Sequence, residues 1–142
     1  LTLTSGALLH DVGKAKIPLE ILDKPSALTA EERVILNFHT LYGAQYLQKH
    51  SDVSSDILAM VRSHHELLDG TGYPDRLSGP EIPRCTRILT IADIFGALVE
   101  KRSYKPPMPA EDAYAVLNRM AAAGKLDAAL VKQFGAVAAE MA

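Results

Sequence analysis

An imidazole and a carboxylate, His10 and Asp11, end the apolar stretch of "ALLHDVGK" and are followed by Gly13 and Lys14. Further on, "HHELLDGTGYP" from His64 to Pro74 sets two adjacent imidazoles, two carboxylates and an aromatic ring among turn-forming residues. Neither a helix face nor a strand requires that mixture. Asp93 interrupts "RILTIADIFGAL", an otherwise strongly apolar run. Placed at a buried helix end or inside an apolar face, such groups are costly unless paired, hydrogen-bonded or bound to a cation.

The chemistry open to this set is that of a metal centre built on nitrogen and oxygen. Cys85 is the only cysteine, so thiolate pairs are excluded as ligands. Imidazole with carboxylate suits iron, manganese, zinc or nickel, and a set with two carboxylates suits a multinuclear site in which one carboxylate bridges two ions. Such ions would lower the pKa of a shared water to give hydroxide and would polarise a phosphoryl group, which is hydrolytic phosphate-ester chemistry. On a helix, His64 and His65 would point about 100° apart, so they would serve two neighbouring ions or two positions around one cluster. The remaining histidine, His50, reads as structural, because a helix C-terminus accommodates an imidazole through its dipole and last carbonyls.

Helices must position these groups. Apolar residues recur at helical spacing and strand-type alternation is never sustained, so the chain reads as all-α. "LTAEERVILNFHTLYGAQYLQKH" begins with Thr29 and has Glu32 three residues later, a capping box ahead of a long amphipathic helix that carries His39 in its middle. A second helix is expected from Ser54 to about His65, and a third from about Pro83 through "RILTIADIFGALVEK". Two more follow Pro109 and Asp127, separated by the stop signal "AAAGK". "GKAKIPLEILDKPSA" and "DGTGYPDRLSGPEIP" are loops, each starting directly after a histidine–carboxylate cluster. Gly13 is expected to turn the chain sharply away, and Gly70 and Gly72 to adopt unusual dihedrals. The Ala-rich end, Ala121 to Ala142, reads as a packing helix pair.

With 142 residues and a formal charge of −2, the chain is the size of one ordinary domain and lacks the basic stripe that tracks a nucleic-acid backbone. No apolar run approaches the roughly 20 residues of a membrane-spanning helix. The single cysteine fits a reducing compartment, so a cytoplasmic domain without polymeric nucleic acid or membrane contact is expected. "LTLTSGALLHD" resembles the later part of a helix, so the expectation is an N-terminally trimmed domain lacking its first helix or helices.

Together, His10 and Asp11 with the following "GK", the spaced His39, "HHELLDGTGYP" and the later Asp93 resemble the HD-GYP subgroup of the HD superfamily of metal-dependent phosphohydrolases. The similarity runs from about Ala7 to Lys105. The resemblance implies a single HD-GYP domain over residues 1–142, a helical bundle of about five to seven helices. It implies hydrolysis of cyclic di-GMP to pGpG or GMP, or of the mixed GMP-AMP cyclic dinucleotide, with two or three divalent transition metal ions, iron or manganese. Carried over residue by residue, it makes His10, Asp11, His39, His64, His65 and Asp93 metal ligands, with Asp11 the bridge and a catalytic residue together with Lys14, which meets a substrate phosphate. Gly72 and Tyr73 would border the substrate pocket, and Arg102 and Lys105 would hold phosphates and guanines from the far side. Glu66 and Asp69 would orient the ligands from behind. A sensory or receiver domain upstream and diguanylate cyclases are the partners implied.

Two positions depart from the family pattern. Members carry a further histidine, and some a glutamate, on a preceding helix, whereas Leu1 to Leu9 contains neither. Gly96 stands where many members have an acidic residue. The competing readings are a catalytically silent signalling module that binds ligand or a partner protein, and an HD-superfamily nucleotide phosphohydrolase acting on another substrate.

Overall fold

The structure, a computed structural model, describes residues 1–102 and 105–141. The chain forms α1 (Thr2–Leu9), α2 (Leu19–Leu22), α3 (Ala30–Asn37), α4 (His39–His50), α5 (Ser55–Ser63), α6 (Arg84–Val99), α7 (Ala110–Ala122) and α8 (Ala128–Met141). Short 3-10 turns at Val12–Lys16 and Gly79–Glu81 join them. Seven of the α-helices have eight residues or more, and among the described residues extended pairing is confined to isolated bridges, Asp69 with Ser78 and Arg102 with Lys105. The all-α expectation and its helix number agree with this. The expected segment 121–142 ends on Ala142, which lies outside the described residues, as do Ser103 and Tyr104 between the expected substrate cations.

The start signals act as the sequence implies. Thr29 Oγ1 accepts the Glu32 N–H at 3.1 Å while the Glu32 carboxylate accepts the Thr29 N–H at 2.9 Å, and Ser54 Oγ caps α5 by accepting the Ile57 N–H at 3.3 Å. Pro83 and Pro109 immediately precede α6 and α7, and Gly124, with φ +82°, breaks the chain between α7 and α8.

One expected helix is two. The run from Ala30 to His50 breaks at Phe38, which corrects the placing of His39: it is the first residue of α4, not the middle of a long helix. The His39 Nδ1–H donates to the Leu36 carbonyl at 2.7 Å and the Thr40 hydroxyl to the Asn37 carbonyl at 3.2 Å. Side chains thereby take acceptors that a continuous helix would offer to its own amides. His64 and His65 likewise lie just past the C-terminus of α5, in a turn closed by the Glu66 N–H on the Ser63 carbonyl at 2.9 Å.

Two apolar clusters hold the frame. Ala44, Leu47 and Val61, with Leu9, Val12 and Ile57 against them, join α1, the first 3-10 turn, α4 and α5. Ile91, Leu117, Leu126, Leu130 and Val131, with Phe95, Tyr114 and Phe134, join α6 to α7 and α8. Helix α6 also packs on α1 and α5, so it carries the second cluster on one side and Asp93 toward the histidines on the other. Gly13 does not have the positive φ that a sharp reversal would need. Its role is close approach, since a Cβ there would run into the His39 carbonyl and the Gly43 amide, and the glycine lets the 3-10 turn lie directly on α4.

Candidate metal centre

Four separate segments bring the imidazoles and carboxylates together: the end of α1 (His10, Asp11), the start of α4 (His39), the turn after α5 (His64, His65) and the middle of α6 (Asp93). Three of the histidines are held by one device. Each Nδ1–H donates to the carbonyl three residues earlier, His10 to Ala7 at 2.6 Å, His39 to Leu36 at 2.7 Å and His64 to Val61 at 2.9 Å. Because a carbonyl only accepts, these bonds fix the proton on Nδ1 and leave Nε2 as a lone pair in the neutral ring. Thr90 Oγ1 fixes the turn by donating to the His64 carbonyl at 2.9 Å.

The Nε2 atoms converge. His39 Nε2 lies 3.3 Å from His64 Nε2, and Asp11 Oδ1 lies 3.4 Å from the first and 3.7 Å from the second. With both Nδ1 atoms protonated, three acceptors face one another with no donor between them, in a place where His39 and His64 are 2% and 0% exposed. A cation between them resolves that arrangement, so the residues fit a divalent metal of the kind that binds nitrogen and oxygen. Ligand atoms of His39, His64 and His65 lie within 4.8 Å of one another, and so do those of His10, Asp11 and His64. His64 thus stands between two possible ligand groups. Asp11 faces both ways, its Oδ2 lying 3.2 Å from His10 Nε2. Asp93 spans the other side, with Oδ1 3.3 Å from His10 and Oδ2 3.9 Å from His65.

The electrostatics of the protein alone are divided. Hydrogen bonds to Asp11 and then Asp93 push His10 up to about 10, whereas burial, followed by the neighbouring His64 and His39, pushes His65 down to about 3. Burial works against the charged form of Asp11, yet the hydrogen bond from His10, with the charge of Lys14, holds it below the carboxylate range. Asp93 is also lowered, its burial outweighed by the His10 hydrogen bond. Negative charge is therefore kept at the floor of the site, where a divalent ion would meet it.

The cluster forms the floor of a cleft of about 1050 Å³, walled by Lys14, Arg33, Asn37, Tyr73, Arg102 and Lys105. Lys14 Nζ is 3.1 Å from Asp11 Oδ2. The Tyr73 ring stacks on His65 with centroids 5.0 Å apart and planes 16° from parallel, and burial pushes its hydroxyl up to about 12. Arg102 and Lys105 exchange backbone hydrogen bonds at 3.2 Å, and the Arg102 guanidinium is 3.4 Å from Glu100. Gly96 faces the cleft with open space where a side chain would stand.

Three expected roles are corrected. Gly72 is buried and forms no part of the cleft wall; a Cβ there would collide with the Leu67 amide and the His65 carbonyl, so it permits the loop to lie against the doublet. The unusual dihedral belongs to Gly70, with φ +80°. Glu66 binds the loop rather than an imidazole, accepting the Asp75 N–H at 2.5 Å and the Leu77 N–H at 2.9 Å. Asp69 accepts from Thr71 Oγ1 at 2.6 Å and Lys125 Nζ at 2.9 Å. Both carboxylates point toward the loop backbone and its neighbours because the chain has left the helix before them. Arg33 and Asn37 were not singled out by sequence reasoning. The signal was present, since the capping box at Thr29 fixes the phase of α3 and these residues stand four apart on one face.

Residues 1–130 match the family described as HD domain, a domain type that implies divalent metal binding. The chain is 44% identical over 116 residues to the 3'3'-cGAMP-specific phosphodiesterase 3 of Vibrio cholerae, covering 82% of this chain and 25% of that protein. It is 40% identical over 142 residues to a cyclic di-GMP phosphodiesterase of the same organism, covering 95% of this chain and 28% of that protein. The chain therefore spans about a quarter of the length of these relatives. Among solved structures, Bd1817, an HDG"Y"P protein from Bdellovibrio bacteriovorus, matches 96% of this chain and 42% of its own with a TM-score of 0.75 at 24% identity, a likeness of fold. No described helix is long and apolar enough to cross a membrane.

Proposed function

We propose, from the premise that the chain belongs to the HD-domain family, that it is a metal-dependent phosphodiesterase of cyclic dinucleotides, with cyclic di-GMP as substrate and pGpG or GMP as product. The observation that carries this reading is the convergence of His39 Nε2, His64 Nε2 and Asp11 Oδ1 at the floor of a cleft rimmed by cations. His10, Asp11, His39, His64, His65 and Asp93 would hold two or three divalent ions, iron or manganese. When bound, such ions lower the pKa of a water and polarise a phosphoryl group.

The chain's own residues supply the rest. Lys14, beside Asp11, binds an oxygen of the scissile phosphate and stabilises charge as it develops there. Arg102 and Lys105 hold the ligand from the opposite rim. Tyr73 offers a hydroxyl donor at the cleft wall. Its ring in turn backs the His65 imidazole, and Glu66 fixes the loop that carries it. The similarity to proteins named for cyclic di-GMP and for 3'3'-cGAMP supports the substrate class. The single unpaired Cys85 accords with a cytoplasmic setting.

The test combines anaerobic purification, elemental analysis and turnover assays on cyclic di-GMP and 3'3'-cGAMP. Hydrolysis of a cyclic dinucleotide that depends on bound iron or manganese is expected. A fully metal-loaded chain that turns over neither dinucleotide would overturn the reading.

A further inference from the structure

We propose that the α3 wall of the cleft, Arg33 and Asn37 beside Leu36, is the subsite that reads one guanine base of the substrate. This rests on the cyclic dinucleotide reading above and names the part of the site that distinguishes guanine from adenine.

The three residues share one face of α3, at positions i, i+3 and i+4, and all three line the cleft. Helix α3 buries none of its residues, so the face is held out into the cleft rather than consumed by a core. Among the described residues the Arg33 guanidinium makes no ion pair and the Asn37 side chain no hydrogen bond, in contrast with Lys14, which lies against Asp11.

The composition of this wall suits a base better than a phosphate. Leu36 supplies an apolar surface, which a phosphate would avoid and the face of a purine would cover. A guanidinium fork matches the adjacent O6 and N7 acceptors of guanine, whereas the N6 amino group of adenine would set donor against donor. Asn37 adds both donor and acceptor capacity one turn away. The phosphates have other cations: Lys14 beside the imidazole cluster, and Arg102 with Lys105 on the rim.

The experiment measures equilibrium binding of GMP and AMP to the metal-loaded chain by titration calorimetry, because these ligands carry the same phosphate and sugar and differ only in the base. The unaltered chain is expected to prefer GMP by about tenfold, toward the low end of what a bidentate guanine contact gives. Arg33→Ala and Asn37→Ala should each reduce that preference. Arg33→Lys, which keeps the charge and loses the fork, should retain AMP binding and lose the advantage of GMP. Circular dichroism melts of the variants should match the unaltered chain, because both positions lie on a helix with no buried residue. Equal affinity of the unaltered chain for GMP and AMP, or an undiminished preference in Arg33→Ala, would overturn the subsite. Turnover separates the two inferences: a GMP preference without hydrolysis of any cyclic dinucleotide defeats the functional reading alone, and hydrolysis without base preference defeats the subsite alone.

Discussion

Around α7 and α8 the interior consists of Leu117, Leu126, Leu130 and Val131 beside Ile91, while between α4, α5 and the turn after it the apolar cluster of Ala44, Leu47 and Val61 adjoins buried His39, Thr40, Ser63 and His64. The first interior is non-directional, and its stabilisation follows the apolar area removed from water. The second holds polar atoms that must each find a partner. Backbone carbonyls partner the Nδ1 atoms, but the Nε2 atoms of His39 and His64 face each other and Asp11. One region is complete within the chain, and the other would be completed by a cation. Stability and metal binding should therefore separate by region.

The largest effect is expected at His64, which stands between both possible ligand groups. His64→Ala should remove nearly all bound metal and lower turnover by more than the roughly 10- to 100-fold typical of losing a residue that merely supports a ligand. His65→Ala, which touches one group, should retain a measurable fraction of the metal. Equal metal content in the two variants by elemental analysis would break the idea that His64 is shared.

In the apolar region, Leu117→Ala should cost about 2–5 kcal/mol in urea unfolding, the range for a fully buried leucine, because Leu117 is 0% exposed. Metal bound per folded chain should not change. A fall in that stoichiometry would show that the two regions are not separable through α6.

Glu66 lies on the boundary, a buried carboxylate whose partners are the backbone of the "GTGYP" loop rather than the imidazoles. Glu66→Ala leaves two amide donors unpartnered and should cost about 2 kcal/mol. It should raise KM through displacement of Tyr73 while metal content is kept. Loss of metal instead would restore to Glu66 the ligand-orienting role that the geometry removes.

The smallest effect concerns the same loop from outside. Asp75 accepts two bonds from Arg62 on α5, at 2.8 and 2.9 Å, and the guanidinium lowers its pKa against a small opposing burial cost. A carboxyl group lowered on folding contributes stability above its unfolded pKa of about 4 and loses that contribution as pH falls through the folded value. Asp75→Asn should therefore cost at most about 1 kcal/mol at neutral pH, since both side chains are more than a third exposed. The difference from the unaltered chain should vanish at strongly acid pH. A constant difference across the pH range would show that packing, not charge, is what Asp75 provides.

Much of this architecture is legible in the linear order of residues, and the exceptions share a cause. Thr29 with Glu32, Ser54, Pro83, Pro109 and Gly124 mark helix ends by chemistry that operates within a few residues, so the boundaries they imply stand in the fold. The break at Phe38 was not legible because it depends on His39 and Thr40 directing their side chains to carbonyls, and their amphipathic spacing is the same whether the helix is broken or continuous. The expected roles of Gly13 and Gly72 were drawn from glycine's dihedral freedom. Their actual constraint is the backbone of a distant segment lying where a side chain would be.

The sequence by itself determined the chemical inventory: candidate ligands of nitrogen and oxygen without sulfur, and a bundle of helices. Those properties depend on residue type and on spacings of a few positions, over which backbone geometry is nearly fixed. Only the tertiary structure decided that His64 belongs to both possible ligand groups, that Glu66 serves the loop, and that Arg33 and Asn37 face the cleft. Each of those facts is a distance between segments far apart in the chain, set by how α1, α3, α4, α5 and α6 pack, and no local rule about neighbouring residues contains it.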